Sequence, residues 1–194
     1  MPEMSRLEKK FINRRGERSY TRMLDRMERA GQLRFAPTSQ VLELGGGNGV
    51  LTLLVHERYH PAKMWLTDYD PEQLGVARKN AEARFGAVPP WLVLERGDAT
   101  RLGYADGTFD WVLAHHVLHH LGSTDQIRGG LDEIARVLRP GGRLLYVEMF
   151  HKREIREHLL ARRFVFAFRE RAWRIFNTAD VVIAERPSAA PAKT

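Results

Sequence analysis

Val41-Leu42-Glu43-Leu44-Gly45-Gly46-Gly47-Asn48-Gly49 sets a short apolar run directly against four glycines within five residues, and a helical pattern follows at about 49 to 59. The run reads as a strand over Gln40 to Leu44. Glycines at 45, 47 and 49 let the chain turn sharply and let a ligand come within contact of main-chain N–H groups. A plain strand-to-helix turn needs one or two glycines, so the loop is read as built to hold something. It does not hold it in the dinucleotide manner. The fingerprint G-x-G-x-x-G fails from Gly45, where the sixth position is Val50, and from Gly46, where the third is Asn48. What stands is E-x-G-x-G-x-G. Its acid, Glu43, would repel a pyrophosphate and welcome a ligand ammonium, directly or through water.

The same strand, loop and helix texture recurs to about residue 150. Further strands are expected at Lys63 to Thr67, Trp91 to Glu95, Phe109 to Ala114 and Gly142 to Glu148. Helices are expected at about 71 to 86 and 124 to 139, with a short piece near 117 to 121. Continuously apolar runs such as Trp91 to Leu94 and Trp111 to Ala114 suit parallel strands covered on both faces. Beyond them lie a helix from Arg153 to Arg162, apolar stretches at Phe164 to Phe168 and Arg171 to Phe176, and a strand from Asp180 to Glu185. The fold class is therefore α/β, a doubly wound, mostly parallel seven-stranded sheet with an antiparallel terminal hairpin, in a three-layer α/β/α sandwich. Residues 1 to 37 are read as a helical lid, 38 to 186 as the core and 187 to 194 as a disordered tail. Within the lid, Leu7, Phe11, Ile12, Tyr20, Met23, Leu24 and Met27 predict an amphipathic helix pair interrupted near Gly16.

Composition narrows the function. The chain has 194 residues, 43% hydrophobic and 28% charged, which is ordinary globular usage for one domain. It has no cysteine, which removes thiol nucleophiles, thiolate metal sites and disulfides together. Its first twenty residues lack the apolar core of a leader and no run approaches a membrane span, so the expected location is cytoplasmic. The net charge of +7 divides unevenly: +4 over residues 1 to 30, −2 over 31 to 150, and +5 over 151 to 194. Basic ends around a slightly acidic centre fit contact with phosphate, an anionic lipid surface or an acidic ligand, or plain solvated helix faces.

These motifs in this order resemble the class I S-adenosylmethionine-dependent methyltransferases, from about residue 38 to 186, in their small-molecule branch. Glu43 to Gly49 resembles the family's first motif, which implies cofactor contact by Glu43, Gly45, Gly46, Gly47 and Gly49. Thr67-Asp68-Tyr69-Asp70 resembles the second, implying that Asp68 binds both ribose hydroxyls and Tyr69 packs along the adenine. Gly97-Asp98-Ala99 resembles the third, implying that Asp98 accepts from the adenine amino group and the Ala99 N–H meets a ring nitrogen. Phe109 to Val112 and Ile134 to Leu144 match the fourth strand and the helix, turn and fifth strand. The implied cofactor is S-adenosylmethionine, with S-adenosylhomocysteine as product, and the implied reaction is methyl transfer to a small-molecule or lipid acceptor.

Methyl transfer from a sulfonium needs little covalent help, so alignment and exclusion of water should dominate, with a general base added for a hydroxyl acceptor. His115 and His116 end the fourth strand, where open α/β sheets place ligands, and are the candidate bases. His115 is also placed beside the cofactor. Tyr20, Arg18 and His119 are candidate acceptor contacts, with Arg14 and Arg15 as further roof residues. No metal site is expected, because the histidines lack a carboxylate constellation. Ala114-His115-His116-Val117 stands where nucleic-acid amino methyltransferases carry Asn/Asp-Pro-Pro-aromatic, which disfavours nucleic acid. Oxygen, nitrogen and carbon acceptors stay open, as does the oligomeric state. A catalytically silent protein of the same fold, sensing the cofactor or binding RNA or another partner, is the alternative reading.

Overall fold

The computed structural model describes residues 6–173 and 178–188, with side chains described for residues 16–171 and 179–188. A seven-stranded sheet runs in the order β3-β2-β1-β4-β5-β7-β6. Its strands are β1 (Gln40–Leu44), β2 (Lys63–Asp68), β3 (Leu92–Arg96), β4 (Phe109–His115), β5 (Leu138–Glu148), β6 (Val165–Trp173) and β7 (Thr178–Glu185). β3 to β5 are parallel, and β7 lies antiparallel between β5 and β6. The helices are α1 (Arg6–Arg29), α2 (Val50–Tyr59), α3 (Pro71–Phe85), α4 (Thr124–Val137) and α5 (Lys152–Ala161), with a 3-10 turn at Leu118–Leu121.

The period-2 pleat sorts the apolar strands into two layers. Val41, Trp111, Leu113, Leu145, Val181 and Ile183 pack with α1, α2 and α3. Their neighbours Leu42, Leu44, Val112, Leu144, Tyr146 and Val182 pack with α4 and α5. Each such aliphatic side chain contributes about 1.5–3 kcal/mol on full burial, so two covered faces explain the unbroken apolar runs.

Three expectations need correction. α1 is one continuous helix through Gly16, not an interrupted pair. A lone interior glycine costs a helix only about 1 kcal/mol, and Met23, Leu24 and Met27 are buried against the core and anchor the C-terminal half. Ion pairs from Glu17 to Arg84 (3.0 Å) and Asp25 to Arg58 (2.7 Å) add a tether, modest because exposed pairs contribute about 0–1 kcal/mol. The fourth long helix ends at Val137 rather than 139, because Pro140 disfavours helical backbone at Arg139. Pro140-Gly141-Gly142 consequently lies within β5, irregularly paired with β4 and with Gly141 at φ +75°, instead of forming a separate turn. The tail beyond Ser188, and Phe176 in the hairpin, lie outside the described residues.

Candidate active site

The loops that leave the C-terminal ends of β1, β2, β3 and β4 meet at one cleft of about 810 Å3. It opens where the strand order reverses between β1 and β4, the position at which doubly wound sheets bind ligands. Gly45, Gly47, Asp68, Tyr69, Gly97, Asp98, Ala99, His116 and Val117 all line it, so motifs spread over seventy residues of sequence converge on one wall.

The glycine loop is sterically committed. Gly45 has φ +57°, and a Cβ there would lie 2.3 Å from Val117 Cγ2. At Gly46 a Cβ would lie 2.5 Å from Leu66 Cγ. Asp68 organises this loop from the next strand: its Oδ2 accepts the Gly47 N–H (2.9 Å) and its Oδ1 the Asp70 N–H (2.9 Å). Asp70, not Asp68, caps α3, accepting the Glu72 N–H at 2.8 Å ahead of Pro71 at the first helical position. Tyr69 is 68% exposed at the cleft, with the Arg96 guanidinium 5.0 Å from its ring centre.

Asp98 is fixed by its own turn, its Oδ1 accepting the Thr100 N–H (2.8 Å) and hydroxyl (2.7 Å). Those bonds hold its carboxyl below the usual carboxylate range, so it stands ionised in the cleft. The following segment is pinned to α4, where Glu133 accepts the Leu102 N–H (2.6 Å) and Arg136 donates to the Leu102 carbonyl (2.9 Å).

Glu43 is not on the cleft wall. It is buried behind the loop, where its carboxylate accepts the Thr52 hydroxyl. Burial pushes its pKa up to about 7, against the lowering effect of the Thr52 bonds, and the neighbouring Asp68 charge raises it further.

The histidines divide. His116 lines the cleft and has φ +56°; the other described non-glycine residues with positive φ, His60, His151 and Arg163, sit at helix ends. His115 turns to α1, with its Nδ1 3.4 Å from the Tyr20 hydroxyl, the two rings edge-on at 4.7 Å and the His116 ring at 4.5 Å. His119 faces β5: its Nδ1 lies 2.7 Å from Glu148 Oε2, while Glu148 Oε1 accepts the Leu118 N–H at 2.8 Å. The ring of Phe150 stands edge-on to His119 at 5.4 Å. Arg18 borders a separate shallow depression with Glu17, Thr21 and Arg22, and is not brought to the cleft. Arg14 and Arg15 lie outside the residues whose side chains are described.

Glu148 is the contributor that sequence reading missed. Its carboxylate is wholly buried and ties the end of β5 to the loop after β4. An acid closing the apolar run Tyr146-Val147-Glu148 was the available signal, the same pattern that marks Glu43. Ligand atoms of His116, His119 and Glu148 lie within 4.8 Å of one another, a set that could hold a cation, although both Glu148 oxygens already have partners.

The methyltransferase domain family matches residues 42–146, which is more than half of the chain. The chain belongs to this family. Its glycine loop, acidic strand ends and sheet order are those of the class I S-adenosylmethionine-dependent methyltransferases. A demethylmenaquinone methyltransferase from Thermus thermophilus is 36% identical over 109 residues, 56% of this chain and 46% of that protein. The 27-O-demethylrifamycin SV methyltransferase of Amycolatopsis mediterranei is 34% identical over 128 residues, 66% of this chain and 44% of that protein. The chain thus spans less than half the length of these relatives. Among solved structures, the N-methyltransferase NodS from Bradyrhizobium japonicum, in complex with S-adenosylhomocysteine, superposes with a TM-score of 0.67 at 18% identity, over 77% of this chain and 79% of that one. This methyltransferase fold therefore tolerates wide divergence in sequence.

Proposed function

We propose that this methyltransferase domain moves the methyl group of S-adenosylmethionine to a small-molecule acceptor that presents a flat ring. The observation that carries the reading is the convergence of Gly45, Gly47, Asp68–Tyr69, Gly97–Ala99 and His116 on one cleft. In it Asp68 takes the ribose hydroxyls, Tyr69 packs along the adenine, and Asp98 with the Ala99 N–H reads the adenine edge. Glu43 acts from behind the loop, through Thr52 and the backbone, rather than by touching the ligand.

The acceptor lies at the other end, against the row of rings formed by Tyr20, His115, His116, His119 and Phe150. Rings at edge-on spacing of this kind favour aromatic partners. The acceptor atom bonds to the methyl carbon as the carbon–sulfur bond breaks, the electron pair stays on sulfur, and the acceptor's proton passes to His116. His116 is favoured as base over His115 because it lines the cleft and holds a left-handed backbone, a strained geometry that concentrates at functional sites. His115 and Tyr20 back it. Glu148, by fixing His119 and Leu118, positions this loop. The reading uses no metal ion.

The test is turnover with radiolabelled S-adenosylmethionine against a panel of quinols, phenols, aliphatic alcohols and amines. Labelled product from a ring-bearing acceptor, lost in His116→Ala, is the expected result. Tight binding of S-adenosylhomocysteine with no product from any acceptor would instead favour a catalytically silent binder.

A further inference from the structure

We propose that His116, His119 and Glu148 form a binding site for a divalent transition metal ion of the zinc class. One ligand atom from each lies within 4.8 Å of those of the other two. The chain sets both histidines in the loop after β4, and the fold brings the carboxylate to them from the end of β5. Two imidazoles and one carboxylate are a donor set that zinc takes in open sites, whereas calcium and magnesium prefer oxygen ligands alone.

The surroundings of Glu148 favour an ion over plain packing. Its carboxylate is wholly buried, and among the described residues its ion-pair partner is His119, with no lysine or arginine in reach. A carboxylate taken out of water calls for a cation. The hydrogen bonds it already makes are compatible with ligation. Oε1 accepts the Leu118 N–H at 2.8 Å, a bond that orients the carboxylate from outside the coordination sphere. Oε2 and His119 Nδ1, 2.7 Å apart, share one proton, and the ion takes that proton's place. Bonds of about 2.0–2.2 Å hold two ligand atoms no more than about 4.2 Å apart, so the set closes with a shift of roughly half an ångström. His116 lines the cleft, which turns the remaining coordination position toward it.

The site itself does not depend on methyl transfer. Its consequence rests on the reading of His116 as the base. An imidazole that holds the ion through one nitrogen carries its proton on the other and cannot take the acceptor's proton, so the bound metal inhibits turnover.

Visible absorption of Co2+ added to the untagged, EDTA-treated full chain tests the site, with Zn2+ and Mg2+ as competitors. Expected is micromolar Co2+ binding that Zn2+ displaces and Mg2+ does not. It should weaken roughly tenfold or more in His119→Ala and in Glu148→Gln, with S-adenosylhomocysteine affinity within about twofold of wild type as a check of folding. It should persist in His56→Ala/His60→Ala, which removes the histidine pair at the end of α2, whose rings lie 5.7 Å apart. Co2+ binding no tighter than millimolar, or binding lost in His56→Ala/His60→Ala and kept in His119→Ala, would overturn the site. Filling it with Zn2+ should also lower turnover about 10²-fold or more. Unchanged turnover with the site filled would uphold the site and overturn His116 as the base.

Discussion

The two halves of the cleft are made from different material. The donor half, at the ends of β1, β2 and β3, is backbone held by backbone: three left-handed glycines, a carboxylate spent on the Gly47 N–H, and a turn closed by Asp98 on Thr100. The proposed acceptor side, beside His116 at the ends of β4 and β5, is side chains held by side chains from distant elements, with Tyr20 on His115 and Glu148 on His119. Main-chain geometry tolerates few substitutions, while a wall of rings can be rebuilt residue by residue without disturbing it.

His116→Ala breaks the comparison most strongly if it is right. Loss of a general base costs about 10²- to 10⁴-fold in turnover, and S-adenosylhomocysteine affinity should stay within about twofold because the donor half is untouched. Turnover equal to wild type would remove His116 from the chemistry.

Gly45→Ala attacks the other half. The left-handed backbone costs about 1–2 kcal/mol and the overlap with Val117 about 1–3 kcal/mol more, so urea unfolding should show a total loss of about 2–5 kcal/mol. Gly75→Ala, with open space around the new methyl in α3, should instead gain about 0.5–1 kcal/mol. Similar behaviour at both positions would mean the loop is not sterically committed.

Glu43 supplies a pH dependence with a defined sign. Its carboxyl titrates at 4.5 when unfolded and about 7 in the fold. The stability it confers is thus complete below pH 4.5 and lost as pH rises through 7, by about 3 kcal/mol in all. Glu43→Gln should lack that slope. Parallel stability curves from pH 4 to 8 would show that the carboxyl is not protonated in the fold.

Asp68→Ala removes the proposed ribose acceptor and the partner of the Gly47 N–H. Cofactor binding should weaken by about 1–3 kcal/mol, read by calorimetry. Unchanged affinity would confine Asp68 to a structural part.

The same contrast sets what could be read without coordinates. β1 to β4 and their loops were legible to within a residue or so because burial on both faces and fixed glycine geometry leave local marks. β5 began earlier than its apolar run, since backbone can stay extended through Pro140 and Gly141 while the pattern reads as a turn. α1 was misjudged at Gly16 because tertiary burial of Met23, Leu24 and Met27 outweighs a local propensity. At the site, Gly45, Gly47, Asp68, Tyr69, Gly97, Asp98 and Ala99 come together on one cleft, while Glu43 lies behind it and His115 turns to α1. The partnerships of His115, His116 and His119 were not legible. Three residues of one type within five positions point to α1, the cleft and β5 respectively, and only the packing of distant elements assigns them.

The claim on which the rest stands is that the glycine loop and its acidic neighbours bind the adenosyl cofactor and not a dinucleotide. Calorimetric titration with S-adenosylmethionine, S-adenosylhomocysteine and NAD tests it most directly. Micromolar binding of the two adenosyl ligands and none of NAD is the predicted result, whereas binding of NAD, or of none of the three by a folded sample, would contradict it.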